Sequence, residues 1–216
     1  MRRPVDYSLY LITDRHQCAA RGLVSTVAAA VDGGVTAVQL RDPQAKGREL
    51  CELATALVEL LTPYDVALFV DDRLDVALAA GCDGVHLGQD DLPVTAARAL
   101  AGPDLVIGWS VTNLAEAAAA ARLPEGCIDY LGVGPVFPTG SKADAAAPMG
   151  TTALAQVVVG SGLPCVAIGG IGPENLDSVL ATGVEGVAVI SAICSDRDPE
   201  AAARRLAGRI AGHASS

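Results

Sequence analysis

The chain lacks an excess of basic residues, an apolar run of membrane length and any closely paired cysteines. Its 15 lysines and arginines face 25 aspartates and glutamates, for a formal charge of −10 at pH 7. That balance argues against nucleic acid or an anionic lipid surface as a partner, and any small anion would need a local basic pocket. The longest apolar stretches are too short to span a bilayer, so no membrane partner is expected. Cys18, Cys51, Cys82, Cys127, Cys165 and Cys194 are scattered among mostly apolar neighbours without the short spacings of zinc sites, and read as buried, reduced thiols. Met1 to Asp6 carry charge and lack the apolar core of a signal peptide, which sets the expectation of a cytoplasmic protein. Charged residues make up only 19% of the 216 positions and hydrophobic ones 51%, a composition that can bury a sizeable core and excludes disorder. No linker or low-complexity segment divides the chain, so residues 1–216 are expected to form a single domain.

What is present is an alternation. Eight short apolar, β-rich runs occur at Leu9 to Thr13, Ala37 to Leu40, Ala67 to Val70, Gly84 to Leu87, Val106 to Gly108, Tyr130 to Val133, Cys165 to Ile168 and Gly186 to Ile190. Between and after them lie stretches of helical spacing at Val24 to Asp32, Arg48 to Leu61, Leu74 to Ala80, Val94 to Leu100, Leu114 to Arg122, Thr151 to Gly160, Glu174 to Ala181 and Pro199 to Ile210. Runs apolar at nearly every position suit strands buried on both faces, as parallel strands under helices must be. The first turn lacks the glycine fingerprint of a dinucleotide site, which disfavours an open doubly wound sheet. The pattern predicts an α/β fold, a single (β/α)8 TIM barrel. Gly-Val phrases at Gly34, Gly84, Gly132 and Gly186 read as the recurring start of strands.

Polar residues collect just past the predicted strand ends, which in a parallel barrel share one mouth. Asp71, Asp72 and Arg73 follow the third run; Gln89, Asp90 and Asp91 follow the fourth. Asp72 and Asp91 are candidate magnesium ligands, because magnesium takes one or two protein carboxylates together with phosphate oxygens. The plain reading is that each aspartate caps a helix start, Asp91 preceding a helix whose first residue is Leu92 or Pro93. Gln39 and Arg41 should point the same way from the second strand, the amide toward a polar ring and the guanidinium toward an anion. Ser110 could donate a further hydrogen bond. Individually, Arg41 could instead pair with a structural carboxylate and Ser110 could cap the following helix. The long connection from Pro138 to Pro148 holds Thr139, Gly140, Ser141 and Lys142, a set suited to phosphate oxygens; Asp144 within it reads as solvated. Gly169 and Gly170 after the seventh strand, with Ile190 and Ser191 after the eighth, stand where barrels commonly hold a phosphate. His86 reads as a core or supporting group rather than a zinc ligand.

Tyr10 to Asp14, Val38 to Asp42, Asp71 to Asp75, Gly84 to Pro93, Gly132 to Lys142, Ala167 to Asn175 and Gly186 to Ile193 together resemble the thiamine-phosphate synthase family, from Leu9 to about Asp198. The resemblance implies a barrel enzyme, a transferase, that joins hydroxymethylpyrimidine diphosphate to a thiazole phosphate. The products would be thiamine phosphate and pyrophosphate, with carbon dioxide also lost from a carboxylated thiazole. It implies that Gln39, Arg41, Asp71, Ser110, Thr139, Ser141 and Lys142 meet the pyrimidine diphosphate. Gly170, Ile190 and Ser191 would hold the thiazole phosphate, and Asp72 and Asp91 would bind Mg2+. Arg41, Lys142 and Ser110 would act on the reacting diphosphate, which leaves a resonance-stabilised pyrimidine methylene cation for the thiazole nitrogen to capture. Small-molecule substrates are then the partners, and a homo-oligomer is compatible with the sequence.

The chain departs from the family where Arg-Glu-Lys becomes Arg41, Asp42 and Pro43, removing a lysine that Lys46 could replace. It departs again where Asn-Asp-Arg becomes Asp71, Asp72 and Arg73, an extra carboxylate that could enlarge a metal site or repel diphosphate. Two other readings are a thiazole tautomerase-like isomerase, which would want a histidine where Thr112 and Asn113 stand, and a non-catalytic sensor of thiamine precursors. Only the synthase releases pyrophosphate.

Overall fold

The computed structural model describes residues 4–141 and 146–214. Eight strands, β1 (Leu9–Ile12), β2 (Ala37–Leu40), β3 (Ala67–Asp71), β4 (Gly84–Leu87), β5 (Val106–Val111), β6 (Tyr130–Val133), β7 (Cys165–Ile168) and β8 (Gly186–Val189), pair in parallel and in sequence order. The ladder closes on itself where β1 pairs with β8, Leu9 opposite Val187 and Leu11 opposite Val189. Helices α1 (Leu23–Asp32), α2 (Gly47–Leu61), α3 (Leu74–Ala80), α4 (Val94–Ala101), α5 (Leu114–Ala120), α6 (Gly150–Ser161), α7 (Leu176–Leu180), α8 (Ser191–Cys194) and α9 (Pro199–Ala214) alternate with the strands and cover the outside. The expected (β/α)8 barrel is what the chain forms.

Boundaries differ in three informative places. β5 continues to Val111 rather than stopping at Gly108, because Ser110 and Val111 pair with Gly132 and Val133 of β6. α7 begins at Leu176 rather than Glu174, since Asn175 Oδ1 accepts from Gly172 N–H and ties the preceding residues into a turn. The four-residue α8 was not anticipated, being too short to show helical periodicity.

Strand alternation sends one set of side chains out against the helices and the other into the lumen. The outward set includes Leu9, Leu11, Val38, Leu40, Leu68 and Val70, which pack with helix residues such as Leu57, Leu154 and Leu206. The lumen is filled by Tyr7, Tyr10, Ile12, Ala37, Ala67, Phe69, Val106, Tyr130, Val166 and Ala188. Only 3% of the sequence is aromatic, yet four of these residues are aromatic. Tyr7 and Tyr130 have ring centroids 4.7 Å apart, and Phe69 meets Tyr130 edge-on at 5.6 Å. Aromatic pairs in such tilted or edge arrangements add about 0.5–1.5 kcal/mol beyond their burial.

Large rings on some strands demand absent side chains on others. A Cβ on Gly84 would come within 2.6 Å of the Phe69 ring, and one on Gly108 within 2.2 Å of Tyr130 Cζ and 2.5 Å of His86 Nδ1. A Cβ on Gly132 would lie 2.8 Å from His86 Cε1, and one on Gly186 only 1.8 Å from the Tyr7 carbonyl oxygen. The glycines of the Gly-Val phrases therefore do more than begin strands: three of them vacate space that other groups occupy. All six cysteines are free, and five are buried. Burial pushes the Cys82 thiol up to about 12, which keeps it protonated and unreactive.

Gly108→Ala should overpack the lumen and cost about 1–3 kcal/mol, whereas Gly160→Ala, on a helix with open space beside it, should be neutral or stabilising by up to about 1 kcal/mol. Thermal denaturation of the two variants checks the contrast.

Candidate active site

The carboxyl ends of the eight strands open on one rim, and most of the polar side chains described next lie there. At the end of β2, Gln39 points inward, 3% exposed, and donates through Nε2 to the Tyr10 hydroxyl at 3.2 Å. Arg41 stands two residues on, just past the strand. Its backbone is fixed from both sides by Thr13, fully buried, whose Oγ1 accepts from Arg41 N–H at 3.0 Å and donates to the Arg41 carbonyl at 3.3 Å. The Arg41 guanidinium meets Asp71 Oδ2 at 3.2 Å, with both side chains mostly buried. The alternative of a structural carboxylate partner for Arg41 is therefore realised, and the partner is the residue that departs from the family pattern. The Arg41 guanidinium lies against the Asp71 carboxylate and offsets its charge.

Asp72 follows directly, in the left-handed region at φ 61°, and its N–H donates to the His86 carbonyl at 2.9 Å. Aspartate tolerates that conformation better than most residues, although it carries a cost that a functional site can justify. Neither Asp72 nor Asp91 caps a helix: the residues at the N-caps of α3 and α4 are Arg73 and Pro93, and α4 begins at Val94 rather than at Leu92 or Pro93. Asp91 instead curls back, its Oδ2 accepting from Gly88 N–H at 2.7 Å, which leaves Oδ1 for another ligand. Because β3 and β4 are neighbours, with Asp71 opposite His86, the two candidate metal carboxylates follow adjacent strand ends. Among the described residues no group of three or more His, Cys, Asp and Glu side chains forms a ready-made metal cage. Two hard carboxylates at an open rim fit magnesium, which retains water and takes phosphate oxygens, and not zinc.

Ser110 lies within β5, and its Oγ meets His86 Nε2 at 2.9 Å. It is no helix cap; Asn113 serves α5, accepting from Glu116 N–H at 3.0 Å. Gln89 donates to the Ser110 carbonyl at 2.6 Å and ties the β4 and β5 ends together.

On the other side of the rim, the loops after β6 and β7 continue side by side. Val136 N–H donates to the Ile168 carbonyl at 2.8 Å and Phe137 N–H to the Gly169 carbonyl at 3.0 Å. Gly169 and Gly170 have φ of 98° and 64°, and a Cβ on Gly170 would strike the Pro138 carbonyl oxygen at 2.5 Å. Glycine is required there both for conformation and for the approach of the neighbouring loop. Asn175 secures the turn, donating through Nδ2 to the Gly170 carbonyl at 2.8 Å. Thr139 Oγ1 accepts from Ser141 N–H at 3.3 Å, and Gln17 reaches from the β1 loop to Ser141 Oγ at 3.5 Å and to Ser195 Oγ at 2.8 Å. Ile190 and the exposed Ser191 begin α8 beside this turn. Lys142 and Asp144 lie outside the described residues. A cavity of about 360 Å3 lies at the opposite end, where Asp83 and Leu105 lead into β4 and β5, away from these groups.

A family model described as thiamine monophosphate synthase matches residues 9–193. The chain is 50% identical over 206 residues to the thiamine-phosphate synthase of Azorhizobium caulinodans, covering 95% of this chain and 96% of that one. The chain belongs to the thiamine-phosphate synthase family. It is likewise 50% identical to the thiamine-phosphate synthase of Xanthobacter autotrophicus over 97% of its length and 98% of the relative's. The solved thiamine phosphate pyrophosphorylase of Pyrococcus furiosus superposes with a TM-score of 0.88 at 42% identity, covering 96% of this chain and 97% of that one. Membership makes the chain an enzyme of a transferase family, and among the described residues no helix is long and apolar enough to cross a membrane.

Thr13, Asn175 and Gln17 were not anticipated as parts of a thiamine-phosphate synthase site. Each is an uncharged polar side chain in or beside a turn, with no signal in its own spacing. Thr13→Val would strand the Arg41 N–H and should cost about 1–3 kcal/mol, read as a lower urea midpoint at an unchanged slope.

Proposed function

We propose that this chain condenses hydroxymethylpyrimidine diphosphate with a thiazole phosphate to give thiamine phosphate, releasing pyrophosphate. The observation that carries the reading is family membership over nearly the full chain, together with a carboxylate pair and hydroxyl- and glycine-bearing loops on one rim of the barrel. In this reading Gln39, Ser110 and Arg41 face the pyrimidine diphosphate, and Thr139 and Ser141 receive its phosphate oxygens. Lys142 joins them on the strength of its sequence position alone. Gly170, Ile190 and Ser191 hold the thiazole phosphate. Asp71 acts on the diphosphate indirectly, by sharing Arg41.

The chemistry asks these residues to stabilise charge as it grows on the leaving group. Carbon–oxygen cleavage at the pyrimidine methylene sends an electron pair to the diphosphate, and cations aimed at its oxygens bind the departing form more strongly than the bound ester. Asp72 and Asp91 would hold Mg2+, which, when bound, neutralises part of that charge. No side-chain nucleophile is needed, because the thiazole nitrogen takes the methylene carbon. Holding the two substrates face to face makes this step effectively intramolecular, worth as much as about 7–11 kcal/mol. Thr112 and Asn113, which stand where a tautomerase would want a histidine, are both bonded to Glu116.

Pyrophosphate release from the two substrates with magnesium should be observed for the wild type and should fall by on the order of 100-fold or more in Asp72→Ala; equal release from both proteins rejects the metal assignment. Lys46 stands at the N-cap of α2, exposed, close in sequence to the missing family lysine. Lys46→Ala should raise KM for the pyrimidine diphosphate by about fivefold, the equivalent of roughly 1 kcal/mol for an exposed charge pair, and leave KM for the thiazole phosphate unchanged. Identical kinetics would mean that Lys46 does not compensate.

A further inference from the structure

A continuous line of hydrogen bonds crosses the barrel lumen and joins Gln39 to Ser110, two of the residues assigned above to the pyrimidine diphosphate. Gln39 Nε2 meets the Tyr10 hydroxyl at 3.2 Å, Tyr10 meets the Tyr130 hydroxyl at 3.0 Å, Tyr130 meets His86 Nδ1 at 2.9 Å, and His86 Nε2 meets Ser110 Oγ at 2.9 Å. Five side chains from β2, β1, β6, β4 and β5 take part, and the first four are at most 9% exposed. Gly108 and Gly132 leave the space that these rings fill, since a Cβ on Gly108 would collide with both Tyr130 and His86 and one on Gly132 with His86.

Donor counting gives this line a direction. The amide nitrogen of Gln39 can only donate, so Tyr10 accepts there. Its single proton then goes to Tyr130, because the opposite polarity would leave a buried hydroxyl proton on Tyr10 aimed at no acceptor. Tyr130 in turn has one proton and gives it to His86 Nδ1. A neutral imidazole that accepts at Nδ1 carries its proton on Nε2, which donates to Ser110 Oγ. Burial pushes both tyrosine hydroxyls well above their ordinary range, so neither loses its proton. The last proton, on Ser110, is left to point out of the chain toward the half-buried rim.

We propose that Tyr10, Tyr130 and His86 are positioning residues that hold Ser110 as a one-way hydrogen-bond donor toward the pyrimidine substrate. The inference rests on the reading that Ser110 faces that ring, and it adds a specificity rule: the substrate must present an acceptor atom, such as a ring nitrogen, to Ser110. Hydroxyls and histidine so far inside a barrel otherwise have no reason to replace apolar packing, whose interior alternatives carry no desolvation cost.

Two measurements test the proposal. In protein labelled with 15N at its three histidines, with the His86 signal assigned by its loss in His86→Gln, the wild type at neutral pH should show His86 neutral with the proton on Nε2. A proton on Nδ1, or a charged imidazolium, overturns the proposal without reference to activity. Tyr130→Phe keeps the ring and removes the link; it should lower kcat/KM for the pyrimidine diphosphate by about tenfold, the scale of one lost buried hydrogen bond, and leave KM for the thiazole phosphate within about twofold. Unchanged kinetics, or equal loss toward both substrates, would contradict it. A wild type that forms no thiamine phosphate would refute the functional reading, while the histidine spectrum would still decide the hydrogen-bond chain.

Discussion

Closure of the parallel sheet is the constraint from which the rest of this structure follows. Once β1 pairs with β8, all eight strands must end on the same side, and every turn that follows a strand joins one rim. Residues separated by more than a hundred positions, such as Gln17 and Ser141, are thereby brought within hydrogen-bond reach. The same closure creates a lumen that must be filled to interior density. This chain fills it with a few large rings matched to glycines on neighbouring strands, so packing in the lumen and polar chemistry at the rim share a wall at His86, Ser110 and Gln39.

The rim is built in two halves with different physics. Around β2, β3 and β4, side chains dominate: Thr13 fixes the backbone of Arg41, Arg41 pairs with Asp71, and Asp72 and Asp91 stand at neighbouring strand ends. Around β6, β7 and β8, backbone dominates: paired loops, left-handed glycines and the asparagine-held turn present amide groups. On the proposed function, the first half would receive the diphosphate and its metal and the second the thiazole phosphate. Between the two halves, the Cys194 thiol donates to the Ile12 carbonyl at 3.7 Å. That contact sits at the foot of α8, within the buried layer that supports the turn.

Much of this was legible in the sequence, for a physical reason. Strands buried on both faces leave uninterrupted apolar runs, and seven of the eight strands begin and end within one residue of those runs. Candidate ligands such as Asp72 and Asp91 could be found because strand ends mark the rim wherever the fold is a parallel barrel. What could not be read was mutual geometry. The Arg41 and Asp71 pair depends on register between β2 and β3; the hydrogen bonds from Gln39 to Ser110 depend on five strands and two glycines at once. The role of Gly108 and Gly132 is also invisible in isolation, since a glycine that begins a strand and a glycine that clears space for a ring look alike. The four-residue α8 was too short to announce itself.

The central claim is that one divalent cation joins the carboxylate half of the rim to a departing diphosphate. Anomalous scattering from crystals grown with Mn2+ and pyrophosphate tests it most directly. The account predicts one peak within about 2.0–2.4 Å of carboxylate oxygens from Asp72 and Asp91 and of pyrophosphate oxygens. A peak elsewhere on the molecule, or bound pyrophosphate with no metal at these aspartates, would contradict it.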